Sequence, residues 1–134
     1  KTFTLETVAR NAACDAIVNL LDVNGTTAKC VIAAGASSTT DLVTIGLGAG
    51  DAFGNAAVGV ATMTASSPTA TVSATGTAAK FRLEDDHATA PVKVASGNVG
   101  TNGTSTFTMD ITNTSLNSGD TVTLTTMTVT VPAS

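Results

Sequence analysis

The sequence predicts a mainly β fold, an antiparallel, jelly-roll-like β-sandwich preceded by one N-terminal amphipathic α-helix. Three observations lead there. Apolar residues recur at the three-and-four spacing of a helix face only near the N-terminus. Beyond Gly25 they follow period two in short runs, broken by Gly, Asn, Asp and Ser at intervals of roughly ten residues. About a fifth of the residues are Thr, whose branched Cβ suits a pleated strand and whose hydroxyl keeps an outward face wet without charge.

The helix is expected over residues 5–22. Leu5, Val8, Ala9, Ala12, Ala13, Ala16, Ile17, Leu20 and Leu21 form its apolar face, while Glu6, Arg10, Asn11, Asp15 and Asn19 read as the solvated one. Thr4 is the expected N-cap, and Asn24-Gly25 the stop, since Gly reaches the left-handed conformation cheaply. The Ala-rich stripe is expected to pack on the protein's own sheet, with a rival role in contacts to other subunits.

About seven strands should follow between residues 26 and 132, placed at 28–33, 42–47, 58–65, 70–74, 78–83, 92–99, 105–112 and 121–131, the run 70–74 being the weakest. In the final run the apolar side changes face near Thr126, the pattern of a β-bulge. At 134 residues, all of this belongs to a single domain. Hydrophobic residues make up 43% of the chain, but Ala and Val carry most of that, with four Phe and no Trp or Tyr, so a thin core is expected.

Charge excludes some functions. Only 12% of residues are charged and the net charge is −4, which leaves no positive field for nucleic acid or an anionic membrane. No apolar run reaches the ~20 residues that cross a bilayer, and Lys1 to Arg10 lacks the charged-then-apolar order of a secretory leader.

Catalysis needs titratable groups that converge, and the sequence offers one His and no Tyr, so no enzyme, cofactor or metal site is expected. His87 follows Glu84-Asp85-Asp86; successive strand residues point to opposite faces, so the four read as an acidic hairpin turn before the Val92 strand. A calcium site is the rival and falls short of a full oxygen set. Gly46-Leu47-Gly48-Ala49-Gly50 invites comparison with a phosphate cradle, but Asp51-Ala52-Phe53-Gly54 supplies neither a helix start nor a Lys. Asn24-Gly25-Thr26, Asn102-Gly103-Thr104 and Asn113-Thr114-Ser115 fit the glycosylation pattern and, more simply, Asn-rich turns.

Cys14 on the helix and Cys30 on the first strand have no CxxC spacing. Two readings stand: a pair of reduced core thiols, or a helix-to-strand disulfide closing a loop of 15 intervening residues, with a stabilisation of ~3 kcal/mol.

Several stretches taken together resemble a family of small virion proteins of tailed bacteriophages and prophages. The matching residues are Ala9-Arg10-Asn11-Ala12 through Leu20-Leu21, Ala52-Phe53-Gly54 followed by Gly59-Val60-Ala61, and Gly76-Thr77-Ala78-Ala79-Lys80-Phe81-Arg82. Gly97-Asn98-Val99-Gly100 with Gly103, and Gly119-Asp120-Thr121-Val122 to Thr130-Val131-Pro132, complete the set. The likeness runs from about Thr7 to Pro132, although Lys29-Cys30-Val31-Ile32 lacks the aromatic such members carry and the two cysteines are unfamiliar there.

The resemblance implies a structural virion protein: a cement or decoration protein that binds the major capsid protein, stabilises the phage head from the capsid exterior, and is assembled in the host cytoplasm. It implies a homo-oligomer, with a trimer suggested by analogy to three-fold capsid positions. The rival from another class is a receptor- or carbohydrate-binding module of a tail, tail fibre or head fibre, weakened by the missing Trp and Tyr faces. A surface-layer or pilus-like adhesin subunit is a third reading, favoured by Thr-rich strands and low charge.

Overall fold

The computed structural model describes residues 3–22, 27–35, 40–48, 50–87, 89–101 and 109–133. As expected, the fold is mainly β with one N-terminal helix. Helix α1 covers Thr7–Asn19. Ten strands follow among the described residues: β1 (Lys29–Ala34), β2 (Thr40–Gly46), β3 (Val60–Thr62), β4 (Thr69–Thr71), β5 (Gly76–Glu84), β6 (Lys93–Thr101), β7 (Met109–Ile111), β8 (Ser115–Leu116), β9 (Thr121–Thr123) and β10 (Thr128–Thr130).

The main sheet runs β2-β1-β5-β6-β7, and the short β8 adds to the start of β5 at Gly76 and Thr77. Its pairs are antiparallel except β6 with β7, where Val99 lies opposite Met109 in parallel register. That pair departs from the wholly antiparallel arrangement the sequence suggests. Two small ladders, β3 with β10 and β4 with β9, complete the β structure.

Alternation along the central strands explains where the core lies. Cys30 and Ile32 of β1 stand opposite Leu83 and Phe81 of β5, and opposite Ile45 and Val43 of β2, and all six point into one apolar cluster. The ladders and helix reach the same cluster through Ala61, Val72, Leu124, Cys14, Val18 and Leu21. A fully buried Leu or Ile contributes ~1.5–3 kcal/mol, so Leu21, Ile32, Leu42, Ile45 and Leu47 dominate its stability. Many other core positions are Ala, and among the described residues only Phe53 and Phe81 supply buried aromatic bulk there. Gly76 sits where a Cβ would come within 2.9 Å of Leu42 Cδ2, so a side chain at this strand start would force the end of Leu42 to shift.

The final run of the sequence divides. Thr121–Thr123 pairs with β4 and Thr128–Thr130 pairs with β3, with residues 124–127 between them. The change of apolar face near Thr126 therefore marks a strand that leaves one ladder for another, and not a bulge within one strand.

Candidate interaction surface

Helix α1 is rotated from the expected orientation, keeping Leu21 buried and Leu5, Ala13 and Ile17 half-buried but turning the rest of the expected apolar face outward. Its buried residues are Cys14 and Val18, joined by Leu21 just beyond its end, while Val8 is 81% and Leu20 45% exposed. Ala9, Ala12 and Ala16 also face outward, and Phe3 ahead of the helix is exposed. From the face expected to be solvated, Arg10, Asn11 and Asp15 turn toward the body and bind backbone, while Glu6 and Asn19 stay exposed. Asn11 Oδ1 accepts the Gly59 N–H at 2.7 Å, Asp15 Oδ1 accepts the Ala56 N–H at 2.6 Å, and Arg10 Nη1 donates to the Val58 carbonyl at 3.2 Å.

The energetic reason is local. Segment 54–59 includes N–H groups with no strand partner, and a buried donor left unsatisfied costs ~1–3 kcal/mol. Turning a few Ala methyls to water forfeits only about 0.8 kcal/mol for each carbon. The acceptors on Asn11 and Asp15 therefore decide which face goes in. The expected Thr4 cap is absent as well: Glu6 occupies the N-cap position with no side-chain cap bond. At the other end the chain turns out through Leu20, Leu21 and Asp22, whose N–H groups bond to Ile17, Val18 and Asn19. The expected stop at Asn24-Gly25 lies outside the described residues.

Arg10 and Asn11 hold an unusual turn. Ala57 and Val60 exchange both backbone hydrogen bonds, at 2.9 and 3.0 Å, across Val58 and Gly59. Both central residues have positive φ, 54° and 77°, the requirement of a type I′ hairpin. Gly59 suits it, but Val58 is β-branched and 63% exposed, so nothing apolar offsets its strained backbone. The Val131 N–H, bonded to the Gly59 carbonyl at 2.8 Å, fixes the turn from the C-terminal side.

The acidic segment after β5 is a structural turn. Asp85 is fully buried, and its Oδ1 accepts the N–H of Val92 at 2.8 Å and of His87 at 3.4 Å. His87 Nδ1 faces the Ala90 N–H at 3.3 Å. Glu84 points the other way, to Arg82 and Lys29 on the outer sheet face. Among the described residues, no group of three or more His, Cys, Asp or Glu is placed to hold a metal ion.

Gly48 and Gly50 have φ of 101° and 91°, and no helix begins after them, so the stretch is a loop leaving β2; Ala49 lies outside the described residues. Asn113 Oδ1 accepts the Ser115 N–H at 2.9 Å in a local turn. The Asn24 and Asn102 patterns also lie outside the described residues.

Cys14 and Cys30 are both buried free thiols. Cys14 Sγ donates to the Val129 carbonyl at 3.3 Å, tying α1 to β10. Burial pushes the Cys30 thiol up to about 12, against an opposing pull from the Arg82 charge.

An open cavity of about 980 Å³ lies between β5 and β6 on one side and the C-terminal strands on the other. Phe81, Leu83, Leu116 and Leu124 give it an apolar lining, and Asp110 and Asp120 are the only titratable residues among those lining it. Asp120 is committed to a turn, accepting the Asn117 N–H at 2.8 Å.

The sequence thus marks the right helix with its buried side turned partly away from the expected stripe, and it places Val58 at the start of a strand where the structure has a turn before β3. The available signal was the small-residue run Ala56-Ala57-Val58-Gly59 between Asn55 and the next strand, with an Arg-Asn pair on a helix needing partners. Comparison with known proteins, by family model, by curated sequence and by solved structure, finds no match for the chain. No helix among the described residues is long and apolar enough to cross a membrane.

Proposed function

We propose that the protein is a structural component of a bacteriophage particle, a cement or decoration protein that seats on the capsid exterior against the major capsid protein. The observation that carries this reading is the outward apolar stripe Val8, Ala9, Ala12, Ala16 and Leu20. A helix whose polar side is pinned to its own body by side-chain hydrogen bonds displays its apolar side by construction, and a displayed apolar stripe fits a contact with another protein. The residue likeness to tailed-phage virion proteins and the structural commitment of His87 and its neighbouring acids support the same reading. Each contact is small, and many copies on one shell make the attachment strong through avidity.

The test is attachment of the purified protein to capsids that lack it. Saturable binding in a fixed ratio to capsid subunits is expected. Val8→Glu with Leu20→Lys should abolish binding while leaving the melting temperature unchanged, because neither side chain is in the core. Labelling confined to tails, or binding indifferent to these substitutions, overturns the assignment.

A further inference from the structure

The cavity between the main sheet and the C-terminal strands is bounded by backbone with partners on one side only. Among the described residues, β9 pairs with β4 alone and β10 with β3 alone. Along an antiparallel strand, successive residues turn their N–H and C=O groups alternately toward the partner and away from it. Here the Leu124 N–H bonds to the Pro68 carbonyl, and the Asp120 carbonyl accepts the Val72 N–H. The Met127 carbonyl likewise accepts the Met63 N–H, and the Val131 N–H bonds to the Gly59 carbonyl. That parity directs the backbone groups of Val122 and Val129 toward their ladder partners. Those of Thr121, Thr123 and Thr128 therefore face away, and all three residues line the cavity.

The opposite wall is also a sheet edge. Strand β7 ends the main sheet, paired with β6 alone among the described residues, and Met109, Asp110 and Ile111 line the same cavity. Between the two edges lies an apolar floor, made by Phe81 and Leu83 of β5 and by Leu124 just past β9. A row of open backbone donors and acceptors is matched by another strand, since an extended chain repeats both at the same spacing. The volume of about 980 Å³ lies at the upper end of the ~300–1,000 Å³ of ligand clefts. Charge narrows the occupant further. Asp110 and Asp120 make the rim acidic; Asp120 is held in its own turn, whereas Asp110 is exposed and forms no ion pair among the described residues.

We infer that this slot receives an extended segment of a partner protein, which adds as a strand to the free edge of β9 and β10. Its backbone bonds to Thr121, Thr123 and Thr128, and main-chain hydrogen bonds of this kind supply the affinity. Its alternate side chains are apolar and rest on Phe81, Leu83 and Leu124, while those between them face water. A basic residue at one end meets Asp110. The site involves neither α1 nor a shell, so it stands or falls apart from the capsid reading.

The experiment titrates the purified chain with a synthetic peptide of alternating Thr and Val bearing one terminal Lys, and reads amide hydrogen exchange by NMR. Saturable binding is expected, with exchange at Thr121, Thr123 and Thr128 slowed at least tenfold and that at Val122 and Val129 unchanged. The same peptide N-methylated at alternate residues loses its strand donors and should bind at least tenfold more weakly. Thr123→Pro removes a donor from the free edge and none from the β4 ladder, a setting in which Pro is tolerated, so it should lose binding and keep its melting temperature. Asp110→Asn should weaken binding of the Lys-bearing peptide. No saturable binding, equal binding of the methylated peptide, protection confined to another edge, or indifference to either substitution would overturn the inference. So would amides of Thr121, Thr123 and Thr128 that are already protected without peptide, because the slot is then filled by the chain itself or by a second copy.

Discussion

Replacing Val58 by Asn should stabilise the protein, which is an uncommon expectation for removing a hydrophobic residue. Val58 has φ of 54°, and a left-handed conformation costs an L-residue roughly 1–2 kcal/mol, with β-branching at the unfavourable end. Its side chain is 63% exposed, so little apolar burial is lost on replacement. Asn tolerates the conformation and, with Gly59 after it, forms the pair that type I′ hairpins prefer. Val58→Asn should therefore gain about 1 kcal/mol. For 134 residues with an unfolding entropy of ~2.1 cal/mol/K per residue, that is a rise of about 3–4 °C in melting temperature. Differential scanning calorimetry measures it directly. The companion substitution Gly59→Ala should act oppositely, since its Cβ would lie 2.7 Å from the Val131 carbonyl oxygen and 3.1 Å from Arg10 Cβ. A Val58→Asn protein that melts at or below the parent temperature would refute the claim that this turn is strained.

Asn11→Ala strips the acceptor from the Gly59 N–H and should cost about 1–2 kcal/mol in urea unfolding, more than Asn19→Ala on the exposed side of the same helix. The Arg82 guanidinium, first by hydrogen bonding, holds the Asp41 carboxyl below its ordinary value, with burial opposing and the charges of Arg82, Lys29 and Lys93 adding. A depressed carboxyl gives stability that is present above the unfolded value of 3.8 and lost as pH falls through the folded one. Asp41→Asn should thus lower the urea midpoint at neutral pH, and the difference from the parent should vanish at strongly acid pH. Cys30 has the opposite sign. Its thiol is raised from 9.0 to about 12, so its contribution is complete below pH 9.0 and is lost as pH climbs toward about 12. Cys30→Ala should flatten that alkaline decline, and at neutral pH a thiol reagent should reach Cys30 only through unfolding.

The class of fold was legible in this sequence because periodicity records it. Period two after residue 25 marks most of the strands of the main sheet, where Cys30, Ile32, Phe81 and Leu83 alternate against Val31, Arg82 and Lys80. The orientation of α1 was not legible from the same signal. Ala9, Ala12 and Ala16 count as apolar, yet each methyl is worth little, while Asn11 and Asp15 satisfy backbone donors 48 and 41 residues away that no local pattern announces. The acidic turn that follows β5 was readable from charge and strand alternation, but the fully buried Asp85 within it was not, since its acceptors matter only once Val92 returns beside it. Two-residue β8 lies below what any spacing rule resolves, and β7 falls within the expected run 105–112 without any sign there of its parallel pairing. The sheet-face ion network was half visible: Arg82 and Glu84 share a face by alternation, whereas Asp41 and Lys29 join them only through the order of strands.

The division of the last run between two ladders governs the order of events in folding. β3 must wait for β10, and β4 for β9, so these two ladders cannot form until residues 121–130 have been synthesised and have found them. Pairings of such long sequence separation slow the search, because the chain between them must be closed before any contact rewards it. During that interval the incomplete chain exposes Thr- and Val-rich edges at high β propensity, and crowding among nascent copies is the hazard it has to outrun.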